Sequence, residues 1–406
     1  MNTYRCRLLT PISATEVQWI SDAVLVLDGR IIAEVAPYDG REVDEDLRPW
    51  VLTPGFVDAH LHFPQTRIVG AASGPLLEWL DRSTFPEEQR FSEAAHAERI
   101  AAVFCERMLS AGTTLAMVYG SVHPSAAEAL FQQLDLSGMR ALAGPVLMDA
   151  NSPDSLMLPV DRAIPALESL ADRWDGADSG RLRVAVVPRF ALSCTGAMLK
   201  AAGRLAEARG LWVTTHLSEN LEECRVAREM FSAPDYLSIY EDAGLLHSRS
   251  VFAHCIHLSD SEWSRFAASG AVVAHCPDSN DFLGSGGMPT HTVIERGIPL
   301  AIGTDIAAGR SFRVPRILSS AYDNALRQGL QLDPRQLLWW GTRGGAVALG
   351  ESRVGVLQPG FEADVIALDI PDWVESEAEV LGWALFDHDA RVRQTWIRGE
   401  VVWSAR

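Results

Sequence analysis

The 406-residue sequence is poor in positive charge, because 35 lysine and arginine residues stand against 53 aspartate and glutamate residues, giving a net charge of −18 at pH 7. Phosphate-rich partners need clustered positive charge, so this balance argues against nucleic acid or an anionic membrane as a partner. The sequence also lacks the run of about 18 apolar residues that a membrane helix needs. Its N-terminal segment lacks the apolar core of a signal peptide. We therefore expect a soluble, cytoplasmic protein.

Cysteine is scarce as well. The six cysteines form no C-x-x-C pair and no compact framework, so we expect reduced, mostly packed thiols. Apolar residues make up 48% of the chain and charged residues 22%, which is an ordinary balance for a globular protein with a buried core. This composition excludes a disulfide-stapled mini-protein, a fibrous repeat and a disordered chain.

The two ends of the chain have a β texture throughout. Turn signals at Asp28-Gly29 and Pro359-Gly360 separate short segments of mixed apolar and polar residues, a pattern typical of strands joined by tight turns. Neither end is long enough to bury a core alone. We therefore predict that residues 1–54 and 352–406 pair into one small β-sandwich domain.

Between the ends, short apolar runs alternate with amphipathic segments, which predicts βα units around a parallel sheet. One intervening helix begins at the capping box Ser259–Glu262 and ends at Gly270, and another ends at Gly210. Eight strands within about 300 residues match the requirement of a (β/α)8 barrel. We predict an α/β fold with a (β/α)8 TIM barrel as the catalytic domain, over residues 55–351. The predicted strands are 56–60, 114–119, 140–147, 182–188, 211–216, 251–255, 271–276 and 299–303.

Histidines and carboxylates stand where several of these strands end, and functional residues of a barrel collect at that mouth. His60 and His62 are two positions apart, so both imidazoles face one side of an extended segment. His216, His254 and Asp305 end three other strands. Taken alone, His60 and His62 are equally a chance pair of polar residues after a strand. His216 alone is more often a core histidine with satisfied hydrogen bonds, and His254 and Asp305 alone are ordinary strand-end residues. Three imidazoles and one carboxylate from separate strands, however, make a credible divalent-metal site, and zinc favours these donors.

Glu219 follows His216 by three positions. A carboxylic acid beside a metal and a heterocycle can donate a proton to a ring nitrogen and later pass one to a leaving group. The alternative is helix capping, because Ser218 and Glu219 also suit a first helical turn. Arg189 follows the fourth predicted strand, where a lysine carbamate would be needed to hold a second metal ion, so we expect a mononuclear site.

These residues, in this order, resemble the amidohydrolase superfamily and, within it, the guanine deaminase family. The resemblance spans nearly the whole chain. The segments that carry it are Pro54-Gly-Phe-Val-Asp-Ala-His-Leu-His62, Leu76-Leu-Glu-Trp-Leu80 with Thr84-Phe-Pro-Glu87, His216-Leu-Ser-Glu-Asn220, Ala253-His-Cys255, His275-Cys-Pro277 and Gly303-Thr-Asp305.

The resemblance implies one Zn²⁺ ion per chain, with Fe²⁺ as the alternative, held by His60, His62, His216 and Asp305. It places His254 beside the metal-bound water and the substrate. It makes Glu219 the proton shuttle and lets Asp305 accept the proton of the water. The implied substrate-binding residues are Gln65 and Arg189 at the ring edge, Trp79, Leu80 and Phe190 as apolar walls, and Glu219.

The implied reaction is hydrolytic deamination of a purine-like heterocycle, most simply of guanine to xanthine and ammonia in purine catabolism, by a homodimer. Four residues depart from the family pattern in the loops after the seventh and eighth strands: Asp278, Asp281, Arg310 and Arg313. Either an Asp281–arginine pair holds the two loops together, or the pocket is retuned to another ring, such as a pterin, 8-oxoguanine or a triazine. A non-catalytic binding protein on the same fold is the alternative from a different class.

Overall fold

The structure, a computed structural model, describes residues 1–71, 74–387 and 390–405. The strands within these ranges belong to two sheets. In chain order the strands are β1 (Asn2–Ser13), β2 (Glu16–Asp28), β3 (Ile31–Pro37), β4 (Glu45–Pro54), β5 (Phe56–His62), β6 (Thr113–Tyr119), β7 (Arg140–Gly144), β8 (Val146–Leu147), β9 (Leu182–Pro188), β10 (Trp212–Leu217), β11 (Ser250–His254), β12 (Val272–His275), β13 (Leu300–Ile302), β14 (Val365–Leu368), β15 (Val392–Ile397) and β16 (Glu400–Ser404).

Helices fill most of the connections between the strands, and a π-helical turn at Leu80–Thr84 joins the first two of them. None of the helices in the described ranges has the length and apolar character needed to cross a membrane. In chain order they are α1 (Leu76–Trp79), α2 (Phe85–Glu88), α3 (Ala94–Ser110), α4 (Pro124–Leu136), α5 (Val160–Trp174), α6 (Ala177–Gly180), α7 (Gly196–Arg209), α8 (Leu221–Phe231), α9 (Tyr236–Asp242), α10 (Asp260–Ser269), α11 (Pro277–Leu283), α12 (Thr290–Glu295), α13 (Val314–Arg327), α14 (Pro334–Gly341), α15 (Arg343–Ala348) and α16 (Glu377–Phe386).

Strands from both chain ends form one hydrogen-bonded sheet of seven strands, in the order β16-β15-β14-β4-β1-β2-β3. Strand β4 connects the two ends, because it pairs in parallel with β1 and antiparallel with β14. Side chains such as Leu25, Leu52 and Trp396 form a separate hydrophobic cluster on these strands. The predicted pairing of the two ends is confirmed, and it takes the form of this single sheet. The domain bounds 1–54 with 352–406 and 55–351 stay a prediction.

The texture of the C-terminal end suggested strands alone, but the structure has a helix there. Helix α16 lies between β14 and β15, and it begins at a capping box formed by Ser376 and Glu379. Its sequence is almost uniformly apolar after the first turn, so it shows little of the amphipathic period that identifies a surface helix. The S-x-x-E signal of the capping box was the available clue.

The second sheet is a parallel barrel with the strand order β13-β12-β11-β10-β9-β7-β6-β5. Backbone hydrogen bonds close it: the Asp305 N–H donates to the His60 carbonyl at 2.8 Å, and the His62 N–H donates to the Ile306 carbonyl at 3.0 Å. The (β/α)8 prediction is therefore confirmed, and all eight strands occur where the sequence placed them. The third is divided into β7 and β8 around Pro145, because proline lacks the N–H that a ladder needs.

Burial on both faces explains why these strands were visible in the sequence. Every residue of β6 is buried, as expected for parallel strands between a filled barrel interior and a layer of helices.

Helix α10 begins at the capping box of Ser259 and Glu262. Helices α7 and α10 end at Gly210 and Gly270 in the left-handed conformation, with φ of 66° and 71°, which glycine adopts without strain. These end signals are confirmed.

Arg140 at the start of β7 links the barrel to the terminal sheet. Its Nε lies 3.0 Å from Asp364 Oδ2 and its Nη2 lies 2.9 Å from Glu362 Oε2, and Arg140 and Asp364 are both 2% exposed. Removing one partner of a buried ion pair leaves the other charge buried and unpaired.

We therefore expect Arg140→Ala to lower the free energy of unfolding by about 3–5 kcal/mol, measured by urea titration. Arg41→Ala is the matched control, because Arg41 also binds two carboxylates but at an exposed site, where ion pairs contribute little. Equal effects of the two substitutions would contradict the linking role of Arg140.

Candidate active site

Four side chains with metal-binding donor atoms meet at the carboxyl end of the barrel. His60 and His62 end β5, His216 lies in β10, and Asp305 follows β13. One donor atom from each lies within 4.8 Å of the others. His60 Nε2 is 3.2 Å from Asp305 Oδ1, and the Nε2 atoms of His62 and His216 are 3.2 Å apart. The four predicted ligands thus converge on one point.

The protonation state of these groups suits a cation. His216 Nδ1 lies 2.6 Å from the Arg189 carbonyl oxygen; since a carbonyl only accepts, Nδ1 carries the proton and Nε2 keeps its lone pair. Burial lowers the pKa of the His60 imidazole, lowers the pKa of His62 to about 4, and lowers that of His216 well below its usual value. Burial opposes ionisation of Asp305, yet its contacts with His60 and His62 hold the pKa of its carboxyl well below the ordinary range.

A divalent cation fits this cluster. His60 is fully buried, and both of its ring nitrogens lack a hydrogen-bond partner among the described residues. A buried polar group without a partner is costly, and a cation at the convergence point would remove that cost for Nε2. Neutral imidazoles with one carboxylate are the donors of borderline cations such as zinc.

The backbone around the cluster is strained. Ser218, His254 and Asp305 adopt left-handed conformations, with φ of 51°, 73° and 50°, each at a cost of roughly 1–3 kcal/mol. Asp58 holds Asp305 in place through the preceding residue, because it accepts the Thr304 N–H at 2.9 Å and the Thr304 hydroxyl at 2.5 Å. Burial raises the pKa of Asp58 to about 7.

Glu219 and His254 stand beside the four donors. Glu219 Oε2 is 3.4 Å from His254 Nε2, Ser285 Oγ donates to Glu219 Oε1 at 3.3 Å, and His254 Nδ1 lies 2.8 Å from Asn280 Oδ1. Burial, followed by the negative charge of Asp305, raises the pKa of Glu219 well above its usual value. A carboxyl group held in this way can carry a proton near neutral pH and release it to a bound partner.

Helix capping does not explain Glu219. Helix α8 begins at Leu221, and its capping box consists of Asn220 and Glu223. Glu223 Oε2 accepts the backbone N–H groups of Glu219 and Asn220 at 2.9 and 3.0 Å. The Glu219 side chain is therefore free of the capping role that the sequence left open, and it lines the cleft.

The cleft itself has an empty volume of about 360 Å³, part of which is open to solvent. All five side chains predicted at the ring edge and walls line it. Leu76, Leu283 and Ala308 also line it, and no role was predicted for them. The full set is His62, Gln65, Leu76, Trp79, Leu80, Arg189, Phe190, His216, Glu219, Leu283, Asp305 and Ala308.

The four residues that depart from the family pattern do not line this cleft. Arg310 Nη2 binds the fully buried Asp278 carboxylate at 2.6 Å, which joins the loops after β12 and β13. Asp281 binds Arg327 of α13 at 2.9 Å, and Arg313 donates to the Ala390 carbonyl. The prediction that an aspartate–arginine pair holds the two loops together is therefore correct, but the aspartate is Asp278 and not Asp281.

Two buried carboxylates near the cleft were missed by the sequence analysis. Asp58 stands in the first-strand motif without an assigned role. Glu88, at the end of α2, accepts hydrogen bonds from Gln65 at 3.1 Å and Arg189 at 2.5 Å. These partners are 23 and 101 positions away, so no local pattern could reveal the contacts. The pair Glu87-Glu88 reads as an ordinary solvated helix end.

Comparison with known proteins decides the family. Residues 51–402 match the family model described as the amidohydrolase family. The chain belongs to the amidohydrolase family. Within it, the chain is similar to the probable guanine deaminase of Deinococcus radiodurans, with 38% identity over 100% of this chain and 99% of that protein.

Solved structures of this family agree with the similarity in sequence. E. coli guanine deaminase matches with a TM-score of 0.95 and 32% identity, covering 100% of both chains. The guanine deaminase of C. acetobutylicum, whose structure has guanine bound in the active site, matches with a TM-score of 0.93 and 25% identity, covering 99% of this chain and 100% of that one. The amidohydrolase barrel and its terminal sheet are thus shared over the whole length.

The buried carboxyl of Glu219 generates a pH-dependent prediction about stability. The pKa of Glu219 is raised in the folded state. The contribution of its protonated carboxyl to stability is therefore complete below the ordinary glutamate pKa of about 4.5, and it is lost as the pH rises toward and through the raised pKa. Glutamine does not ionise. In chelator-treated protein, we therefore expect Glu219→Gln to gain unfolding free energy relative to the parent as pH rises above about 4.5, by about 1.4 kcal/mol per pH unit across the window.

Urea unfolding of both proteins at pH 5 to 8 measures this difference. Glu222→Gln is the control, because the Glu222 side chain is exposed on α8, where it binds Arg225. A constant difference between Glu219→Gln and the parent at every pH would contradict a buried, protonated Glu219.

Proposed function

We propose that this chain is a guanine deaminase, which converts guanine and water to xanthine and ammonia. One observation carries the proposal: Glu219 and His254 lie beside the four convergent donors, and Glu219 lines the same cleft as three of those donors. This arrangement belongs to a chain that is similar over its whole length to guanine deaminases.

The cofactor in this proposal is one Zn²⁺ ion, with Fe²⁺ as the alternative. When bound by His60, His62, His216 and Asp305, such an ion acts as a Lewis acid that lowers the pKa of a water molecule toward 7. Imidazole donors favour zinc over the hard cations Mg²⁺ and Ca²⁺.

The chain's own side chains move the protons. In the proposed reaction, the oxygen of water bonds to the amine-bearing carbon of the ring, and Asp305 accepts the proton that the water loses. Glu219 donates its proton to the adjacent ring nitrogen, which its raised pKa permits near neutral pH. His254, held by Asn280, orients Glu219 and the incoming water. The proton held by Asp305 then passes to the amine, so the C–N bond breaks and ammonia leaves. The new hydroxyl group returns its proton to Glu219 and becomes the second carbonyl group of xanthine.

The remaining residues of the cleft bind and orient the ring in this proposal. Arg189 and Gln65 donate hydrogen bonds to its edge, with the Arg189 guanidinium suited to a carbonyl oxygen such as O6 of guanine. Trp79, Leu80 and Phe190 cover its faces with apolar surface. These three side chains are each less than 8% exposed, so they also exclude water.

Deamination of a pterin, 8-oxoguanine or a triazine is not favoured. The departures at Asp278, Asp281, Arg310 and Arg313 were the reason to consider it, and they bind one another and their neighbours outside the cleft. A non-catalytic role is not favoured either, because the four donors and Glu219 are all in place.

The resemblance to the family also supports three broader proposals: a homodimer, a role in purine catabolism and a cytoplasmic location. Analytical ultracentrifugation at micromolar concentration tests the first. Sedimentation as a monomer of 44.4 kDa would contradict it.

Ammonia release from a panel of rings tests the proposed activity. We expect guanine to be the best substrate of the purified protein, and Glu219→Gln to reduce turnover at least 100-fold, because general acid–base catalysis contributes about that much or more. Metal content, measured by mass spectrometry, should stay normal in the variant. Near-parental turnover in Glu219→Gln would refute the assigned role.

Metal removal tests the cofactor. We expect dialysis against a chelator to abolish ammonia release and to lower the melting temperature, because a ligand that binds only the folded state stabilises it. Added Zn²⁺ should restore both more fully than Fe²⁺. In His60→Ala, bound metal should fall below one per chain. Full activity without metal would contradict the proposed cofactor.

A further inference from the structure

Glu88 is a buried carboxylate that holds both side chains assigned to the ring edge. Its Oε1 accepts a hydrogen bond from Gln65 Nε2 at 3.1 Å, and its Oε2 accepts one from Arg189 Nη1 at 2.5 Å. Gln65 is 0% exposed, Arg189 2% and Glu88 4%. Glu88 does not itself line the cleft, so it acts from behind the two residues that do.

The contacts of Gln65 fix the orientation of its amide. Its Oε1 accepts the backbone N–H of Ala307 at 3.0 Å. Because a backbone N–H only donates and a carboxylate only accepts, these two neighbours determine which end of the amide is oxygen and which is nitrogen. Gln65 Nε2 has two N–H groups, and one of them donates to Glu88. The other N–H remains free to donate a hydrogen bond.

Arg189 has no acceptor at all, because every nitrogen of a guanidinium is a donor. The carboxylate of Glu88 holds one arm of it, and the Phe85 ring lies 5.4 Å from its Cζ. Gln65 Nε2 and Arg189 therefore offer donors on the same side of the cleft, and Glu88 is the acceptor that keeps both in this arrangement.

We propose that Glu88 is a positioning residue that sets the polarity of the substrate-reading edge, so that the cleft selects rings with a carbonyl oxygen at that edge. This inference rests on the proposed function. An exocyclic amine, or a bare C–H, at that place would leave buried donors unpaired or facing another donor, and an unpaired buried polar group produces large discrimination.

Glu87 provides a matched control. It is a glutamate one position away, 6% exposed, and it likewise binds side chains, with Arg67 Nη1 at 3.2 Å and His96 Nε2 at 3.3 Å. In the described part of the chain, Gln65 and Arg189 bond to Glu88 and not to Glu87, and Glu87 does not line the cleft. Glu87→Gln thus removes a buried charge from the same helix without altering the ring edge.

The experiment compares guanine with 2-aminopurine, which has the same amine-bearing carbon but lacks the carbonyl oxygen. Both rings are measured for kcat and KM, or by competitive inhibition where turnover is too slow. We expect Glu88→Gln to reduce kcat/KM for guanine about 100-fold and to change that for 2-aminopurine less than about 3-fold, because only guanine uses the held donor. Glu87→Gln should leave the preference for guanine within about 2-fold of the parent.

Equal losses for both rings in Glu88→Gln would overturn the inference, because that result is expected of a residue that only maintains the shape of the cleft. If Glu88→Gln fails to fold, Glu88→Asp replaces it: the charge is kept but withdrawn by one methylene group, and the preference for guanine should still fall at least about 10-fold. Competition between guanine and fluorescent 2-aminopurine for binding measures the preference for guanine over 2-aminopurine without turnover. A parent that binds both rings but releases no ammonia would therefore refute the proposed function alone.

Discussion

The closure of the barrel between β5 and the segment after β13 is the constraint on which the site depends. The Asp305 N–H bonds to the His60 carbonyl, and Asp58 accepts both the backbone and the hydroxyl hydrogen of Thr304. Asp58 and Thr304 are 246 positions apart and both fully buried, so water does not compete for these bonds. They fix the ligands of the first and last strands relative to each other before any cation binds.

That rigidity is what allows an unfavourable local arrangement to persist. The left-handed backbone at His254 and Asp305, the unpartnered nitrogens of His60 and the buried carboxyl of Glu219 each oppose folding. A packed barrel can hold them because neighbouring strands determine their positions. Neutral imidazoles held close together have no better partner than a cation, so cation binding recovers part of this cost.

Much of this could be predicted from the sequence, for identifiable reasons. Strands buried on both faces leave continuous apolar runs, and Gly210 and Gly270 mark helix ends by their left-handed backbone. The pairing of His60 with His62 was visible because alternate residues of a strand face the same side. Contacts between distant residues could not be predicted: Glu88 with Arg189, Asp58 with Thr304, and Asp278 with Arg310 depend on tertiary placement. Helix α16 was missed because it is apolar on nearly all sides and so lacks a period.

The polar groups of the cleft differ in their chemistry, and in the proposed reaction this difference orients the ring, which apolar walls alone do not do. Gln65 and Arg189 offer donors and share the acceptor Glu88, whereas Glu219 and Asp305 offer carboxyl groups to the same cleft. In the proposed complex, Trp79, Leu80 and Phe190 would fix the plane of a flat ring but permit rotation within that plane. The proposed orientation places a carbonyl oxygen against the donors and the amine-bearing carbon of the same ring against the carboxyl groups. Under the proposed function, Glu88 thus contributes to where the reaction occurs without reaching the ring.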